Sequence, residues 1–152
     1  MIMRVSAFLA ALMLAGAALA QKAEVFSDGG AAIRGYDPVA YFTEGKPVKG
    51  KAEFTHQWKG ATWRFASAAN RERFAAAPEK YAPQYGGYCA FGVASGYAVK
   101  TEPDAWSVVE GKLYLNYDRN VQASWVKDTP GYIRKADANW PAVVSSSKAL
   151  AR

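Results

Sequence analysis

The sequence predicts an α+β fold in which a small antiparallel sheet, built from two hairpins, packs against short helices in a single domain. The length of 152 residues is typical of one compact domain. The content of 51% hydrophobic and 21% charged residues is typical of a folded protein rather than of a disordered chain. Two stretches alternate in strand fashion around a two-residue turn, and helix start and stop signals lie between and after them.

Residues 1–20 have the pattern of a secretory signal peptide. Arg4 supplies a short basic start, an apolar run extends from Val5 to Ala20, and its last three residues offer the small side chains that signal peptidase requires. The run is short for a bilayer span, which needs roughly 20 residues. We therefore predict export to the periplasm or the extracellular space, with Gln21 as the mature N-terminus and no stable membrane anchor.

Removal of the predicted signal peptide limits the metal ligands and the charge that the mature chain can offer. Loss of Arg4 lowers the formal net charge from +6 to +5, and all three methionines leave with the leader. The mature chain then has no thioether, which excludes a Met-rich copper(I) site. Its single cysteine, Cys89, cannot form an internal disulfide. The excess of positive charge forms no stripe, so we expect no nucleic-acid partner.

We assign residues 21–33 to an N-terminal arm with a turn at Gly29-Gly30, and residues 34–141 to the folded domain. The domain begins with the turn Gly35-Tyr36-Asp37-Pro38, where Pro fixes φ and Asp can accept hydrogen bonds from the backbone just beyond it. A short strand or helical turn is expected to follow over residues 39–42.

The first hairpin is predicted over Glu53 to Phe65, with Lys59-Gly60 as its turn. This placement pairs Trp58 with Ala61, His56 with Trp63, and Phe54 with Phe65. Since strand side chains alternate with period two, these six residues share one largely apolar face. The other face is polar, as expected for an antiparallel sheet with one side covered by helices.

The second hairpin follows the same logic, with Glu110-Gly111 as its turn. Trp106 and Val108 on the first strand then lie on the same face as Leu113 and Leu115 on the second.

Helices are predicted between and after the hairpins. Ser67 is a good N-cap for a helix over 68–77, which Pro78 ends while starting another short helix over 78–81. Asp118 is the predicted N-cap of a further helix. The last helix begins at Thr129-Pro130 and is expected to end at Pro141, which leaves residues 142–152 as a flexible tail.

Four ordered blocks of the chain resemble the YHS domain family. More narrowly, they resemble its exported single-domain branch, and the resemblance runs from about Gly30 to about Trp140. The four blocks are Gly35-Tyr36-Asp37-Pro38-Val39-Ala40-Tyr41-Phe42, Trp63-Arg64-Phe65-Ala66-Ser67, Phe74 with Pro78-Glu79-Lys80-Tyr81, and Tyr85-Gly86-Gly87-Tyr88-Cys89-Ala90.

This resemblance implies an association with heavy metals, often copper or zinc. Related intracellular domains use cysteines near the Asp-Pro-Val turn and after the strand. Here the turn continues into Ala40, and the strand end reads Phe65-Ala66-Ser67, without a thiol. Cys89 lies in a different block.

Cys89 and His56 are the only thiol and imidazole of the mature chain, and we name them as the candidate metal ligands. A closed zinc site needs four ligands, so a carboxylate (Asp37, Glu102 or Asp104) or a second chain would have to contribute. The alternatives are a small buried thiol at Cys89 and a packed core imidazole at His56. A Cys–His nucleophilic pair would make the protein an enzyme, and it needs a lowered thiol pKa with His within hydrogen-bond reach.

The predicted function is therefore an exported, non-enzymatic binding module that takes a soft metal ion, copper or zinc, through Cys89. The alternative is a structural or protein-interaction domain with Cys89 as a core thiol. A group of tyrosines around the Gly86-Gly87 segment admits a further ligand class, because such rings line pockets for flat apolar molecules as well as packing in cores. That group is Tyr36, Tyr41, Tyr81, Tyr85, Tyr88 and Tyr97.

Overall fold

Short strands and helices alternate along the chain in a computed structural model that describes residues 23–145. The predicted signal peptide and residues 146–152 of the predicted tail lie outside this range. The strands are β1 (Ser27–Asp28), β2 (Ala31–Ala32), β3 (Lys51–Trp58), β4 (Ala61–Phe65), β5 (Trp106–Val109) and β6 (Lys112–Leu115). The α-helices are α1 (Ala40–Thr43), α2 (Ala68–Ala76), α3 (Pro78–Tyr81), α4 (Ala90–Ala94), α5 (Arg119–Trp125) and α6 (Thr129–Ser145).

The strands pair only with their neighbours along the chain. β1 pairs with β2, β3 with β4 and β5 with β6, always antiparallel. The predicted α+β class is confirmed. However, the two predicted hairpins do not join into one sheet, because the described strands form three separate two-stranded sheets.

The first hairpin has the predicted turn and, close to it, the predicted register. Trp58 pairs with Ala61 and His56 with Trp63. The predicted partner of Phe65 is wrong: Phe65 pairs with Lys51, because a bulge between Lys51 and Thr55 shifts the register. A bulge places extra residues on one strand and bends it, and period-two alternation in the sequence does not reveal that extra length.

The second hairpin has the predicted register throughout, with Trp106 opposite Leu115 and Val108 opposite Leu113. Strand β6 is buried on both faces. Leu113 and Leu115 lie in one hydrophobic core, whereas Tyr114, which points the other way, lies in a second. The domain is therefore built around two neighbouring cores that β6 separates.

The first core contains the first hairpin and the N-terminal segment. Phe74 from α2 lies at its centre, with ring centroids 5.0 Å from Trp63 and 5.1 Å from Phe65. The segment assigned to an arm also takes part, because Val25 and Ile33 are buried in this core.

The second core lies between β6 and the C-terminal helices. Trp125 of α5 is fully buried there against Tyr114, with ring centroids 5.3 Å apart. Helix α6 does not end at Pro141 as predicted but continues to Ser145, since Val143 in its last turn is buried in this core. None of the described helices is both long and apolar enough to cross a membrane.

The predicted helix caps are present. The Ser67 hydroxyl accepts a hydrogen bond from the Asn70 amide at the start of α2, and the Asp118 carboxylate accepts one from Val121 at the start of α5. Helix α4 was not predicted. Its N-cap is Cys89, a residue type outside the usual capping set of Ser, Thr, Asp and Asn.

Candidate functional site

Cys89 is buried at the start of α4, with 1% of its surface exposed. Its Sγ accepts hydrogen bonds from the Gly92 amide at 3.4 Å and from the Tyr117 amide at 3.2 Å. The thiol in turn donates to Oδ1 of Asn116 at 3.6 Å, and that oxygen also accepts from the Phe91 amide at 3.1 Å. The sulfur therefore links α4 to the chain that leaves β6.

The surroundings of this sulfur favour the neutral thiol. Burial raises the pKa of Cys89, and the backbone amides of Gly92 and Tyr117 only partly oppose that effect. Because the thiolate is the form that attacks substrates and binds metals, the raised pKa and the burial of the sulfur disfavour both reactions at Cys89.

His56 lies half-buried on β3, at the edge of the first core. Its ring packs edge-on against Phe74, with centroids 6.0 Å apart. Cys89 instead makes its contacts with α4 and with the segment after β6, and no hydrogen bond joins the two side chains within residues 23–145. The predicted pair of ligands thus occupies two different packing environments.

The carboxylates that were considered as additional ligands already have partners. Both oxygens of the buried Asp37 accept hydrogen bonds, as described below. Glu102 lies 2.7 Å from the Lys100 ammonium, and Asp104 lies 3.0 Å from Arg119. In the part of the chain that the structure describes, no three His, Cys, Asp or Glu side chains come together in a way that would hold a metal ion. The described residues do not fit a closed zinc site.

Asp37 organises the turn that precedes α1. It is fully buried. One oxygen, Oδ1, accepts from the amides of Val39 and Ala40 at 2.8 and 3.3 Å. The other, Oδ2, accepts from the Ala66 amide at 2.9 Å and from the Asn70 side chain at 2.8 Å. The carboxylate therefore ties the turn, the end of β4 and the start of α2 together, which is a structural role.

An open pocket of about 450 Å³ lies where the first core, the Tyr85-Gly86 segment and α6 meet. Its volume falls within the range of small-molecule sites. Four aromatic residues contribute to its wall: Trp58, Trp63, Tyr85 and Trp140. Five charged residues also contribute to the lining: Glu24, Lys59, Glu79, Lys112 and Asp137.

The backbone at one side of this pocket is strained. Tyr85 has a φ of 59° and is followed by Gly86 at 62° and Gly87 at 84°. A positive φ is costly for a residue with a side chain and persists only where the surroundings enforce it. Two contacts hold Tyr85: its hydroxyl donates to Asp137 of α6 at 2.8 Å, and its ring packs 5.9 Å from that of Trp140. Burial and the Asp137 carboxylate together raise the pKa of Tyr85, so the hydroxyl keeps its proton.

The fold and this geometry define a small α+β domain with an aromatic, charged pocket and a buried thiol. Residues 39–85 match the family model of the YHS domain, which confirms the resemblance to that family, and metal binding is the property associated with it. The match contains His56, α2, α3 and the first hairpin, and it ends at Tyr85, so Cys89 lies outside it. No curated protein and no solved structure is significantly similar to the chain.

The sequence pattern indicated Tyr85 as one of several candidate pocket residues. It did not indicate the charged residues and tryptophans that surround Tyr85 in the structure. Trp140 and Asp137 stand more than fifty residues after Tyr85, and single-chain patterns give no signal for such long-range contacts. Of the other named tyrosines, Tyr41 and Tyr88 are buried in the packed interior, whereas Tyr97 is 56% exposed.

Proposed function

We propose that this protein is an exported, non-enzymatic binding module that takes a small organic ligand in the pocket beside Tyr85, with Cys89 serving as a structural thiol. The observation that carries this proposal is the pocket itself. It is preformed, it is walled by three tryptophans and a tyrosine, and it is bordered by a backbone segment held in a strained conformation. Concave surfaces that combine aromatic and other hydrophobic side chains with polar groups are typical of ligand sites.

The geometry favours the structural interpretation of Cys89 over a metal ligand. A soft metal ion at this sulfur would have to replace the proton that the thiol donates to Asn116, and it would have to reach a side chain that is 1% exposed.

The same observations support a non-enzymatic role. A cysteine nucleophile needs a depressed pKa and an imidazole in hydrogen-bond reach. Burial raises the pKa of Cys89, and the imidazole of His56 packs against Phe74 instead.

Export is supported by the leader pattern of residues 1–20. Expression of the full chain in a bacterial host, fractionation, and mass measurement of the product test it. Recovery outside the cytoplasm with Gln21 as the first residue is the expected result. Retention of the full-length chain in the cytoplasm would contradict export.

Ligand binding can be measured through the five tryptophan side chains. Trp58, Trp63 and Trp140 line the pocket, whereas Trp106 and Trp125 do not, so the chain carries its own controls. In ¹⁵N-labelled protein each indole N–H gives one NMR signal. We expect at least one of three probes, 2-phenylethylamine, 2-phenylethanol or phenylacetate, to shift the first three signals saturably and to leave the other two in place. Absence of any such shift with all three probes would contradict the proposed pocket.

A metal titration tests the assignment of Cys89 directly. Reduced protein titrated with copper(I) or zinc under anaerobic conditions is expected to bind no more tightly than its Cys89→Ser variant. Stoichiometric binding that disappears in Cys89→Ser would overturn the structural role and support the metal-binding alternative.

A further inference from the structure

The charges around the pocket do not balance. Lys59 is paired with Glu24, with Nζ 3.3 Å from the carboxylate. Among residues 23–145, neither Glu79 nor Asp137 forms an ion pair, and Lys112 is the only other cation in the lining. Two carboxylates therefore face one ammonium, which leaves the pocket with a net negative charge.

Asp137 is positioned to receive a positively charged group. Its Oδ1 accepts the Tyr85 hydroxyl, and that same tyrosine stays protonated because of burial and this carboxylate. This hydrogen bond from the Tyr85 hydroxyl holds the Asp137 carboxylate at the wall of the pocket. Its second oxygen makes no hydrogen bond to any described residue.

The wall of the pocket already shows how it binds an ammonium group. The Nζ of Lys59 lies 4.7 Å from the centre of the Trp58 ring while it contacts Glu24. A cation between an aromatic face and a carboxylate gains from both the ring quadrupole and the opposite charge. Trp140 and Tyr85 offer aromatic surface beside Asp137, which repeats this combination of ring and carboxylate, and no described lysine forms an ion pair with Asp137.

We propose that the ligand is a small organic cation, in which an ammonium group is attached to a flat apolar body. The ammonium group binds near Asp137 and Glu79, and the apolar body packs against the tryptophans. This inference rests on the proposed function, since it names the ligand class of the same pocket.

The three probes separate charge from shape, because they share a phenyl ring on a short chain and differ in their charge. We expect 2-phenylethylamine to bind about ten-fold more tightly than 2-phenylethanol, and phenylacetate to bind most weakly. The advantage of the amine is expected to shrink as salt is raised, since its partners lie at the protein surface. The Trp58, Trp63 and Trp140 signals report each affinity.

Variants that remove one negative charge test which carboxylates bind the ammonium group. Glu79→Gln and Asp137→Asn are each expected to weaken amine binding several-fold more than they weaken the binding of 2-phenylethanol. Glu72→Gln is the matched control, because Glu72 is an exposed acid of α2 outside the lining. These positions are exposed, and an unchanged spectrum of Trp106 and Trp125 verifies that each variant folds.

The outcomes distinguish the two proposals. If 2-phenylethanol or phenylacetate binds as tightly as the amine, the pocket is a ligand site and the cation assignment is overturned. Equal amine binding by Asp137→Asn, Glu79→Gln and the parent protein would overturn it as well. If no probe binds, the proposed function fails and the ligand class fails with it.

Discussion

Replacement of Asp37 by Asn is expected to destabilise the fold strongly without creating a cavity, because the two side chains have nearly the same shape. The carboxylate accepts four hydrogen bonds, two at each oxygen. An asparagine has only one acceptor oxygen, so its NH₂ group must face two N–H donors on one side. Either orientation leaves two buried donors without an acceptor.

The magnitude follows from those two lost contacts. A hydrogen bond to a charged group contributes about 1.5–3 kcal/mol, so two of them predict a loss of roughly 3–6 kcal/mol. That is a large share of a typical unfolding free energy of about 5–15 kcal/mol. Urea unfolding at neutral pH, followed by tryptophan fluorescence, measures the difference directly.

Asp104→Asn is the matched control for this experiment. Asp104 carries the same group, but it is exposed and makes a single ion pair, 3.0 Å from Arg119. Its replacement is expected to cost about 0–1 kcal/mol. An Asp37→Asn variant within about 1 kcal/mol of the parent protein would refute the structural role assigned to this carboxylate.

Three further perturbations test other parts of the structure. Gly86→Ala is expected to lower the free energy of unfolding in urea by more than about 3 kcal/mol, because a Cβ there would overlap the backbone oxygen of Glu24. Gly96→Ala is the control: the space around Gly96 is open, so this variant adds only backbone strain of about 1–2 kcal/mol. The free energy of unfolding is expected to be flat at neutral pH and to fall above about pH 8.5. The reason is that burial raises the pKa of Cys89 in the folded protein, so the unfolded chain loses the thiol proton first. If the Cys89→Ala variant shows the same decline in that range, the thiol is not its source. Tyr85→Phe is expected to lower stability by about 1 kcal/mol, and unchanged unfolding would show that its bond to α6 contributes nothing.

Local signals in the chain were sufficient for most of the elements. The turn residues Lys59-Gly60 and Glu110-Gly111 determine two hairpins, and Ser67 and Asp118 cap the helices that they were predicted to cap. These features depend on a few consecutive residues, whose φ preferences and side-chain hydrogen bonds act within one turn. Helix α4 was missed because a cysteine sulfur, a weak acceptor, occupies its N-cap.

The sequence by itself determined the α+β class, the hairpin turns, the helix starts and the resemblance that the family match confirmed. Tertiary structure decided the bulge in β3, the division into two cores and the continuation of α6 past Pro141. Tertiary structure also decided the surroundings of the candidate site residues. It buries Cys89 beside the backbone amides of Gly92 and Tyr117, and it brings Asp137 and Trp140 into contact with Tyr85. The physical reason is range. Turns and caps are set by neighbours along the chain, whereas burial, pKa and pocket walls depend on side chains that meet only after the whole domain has packed.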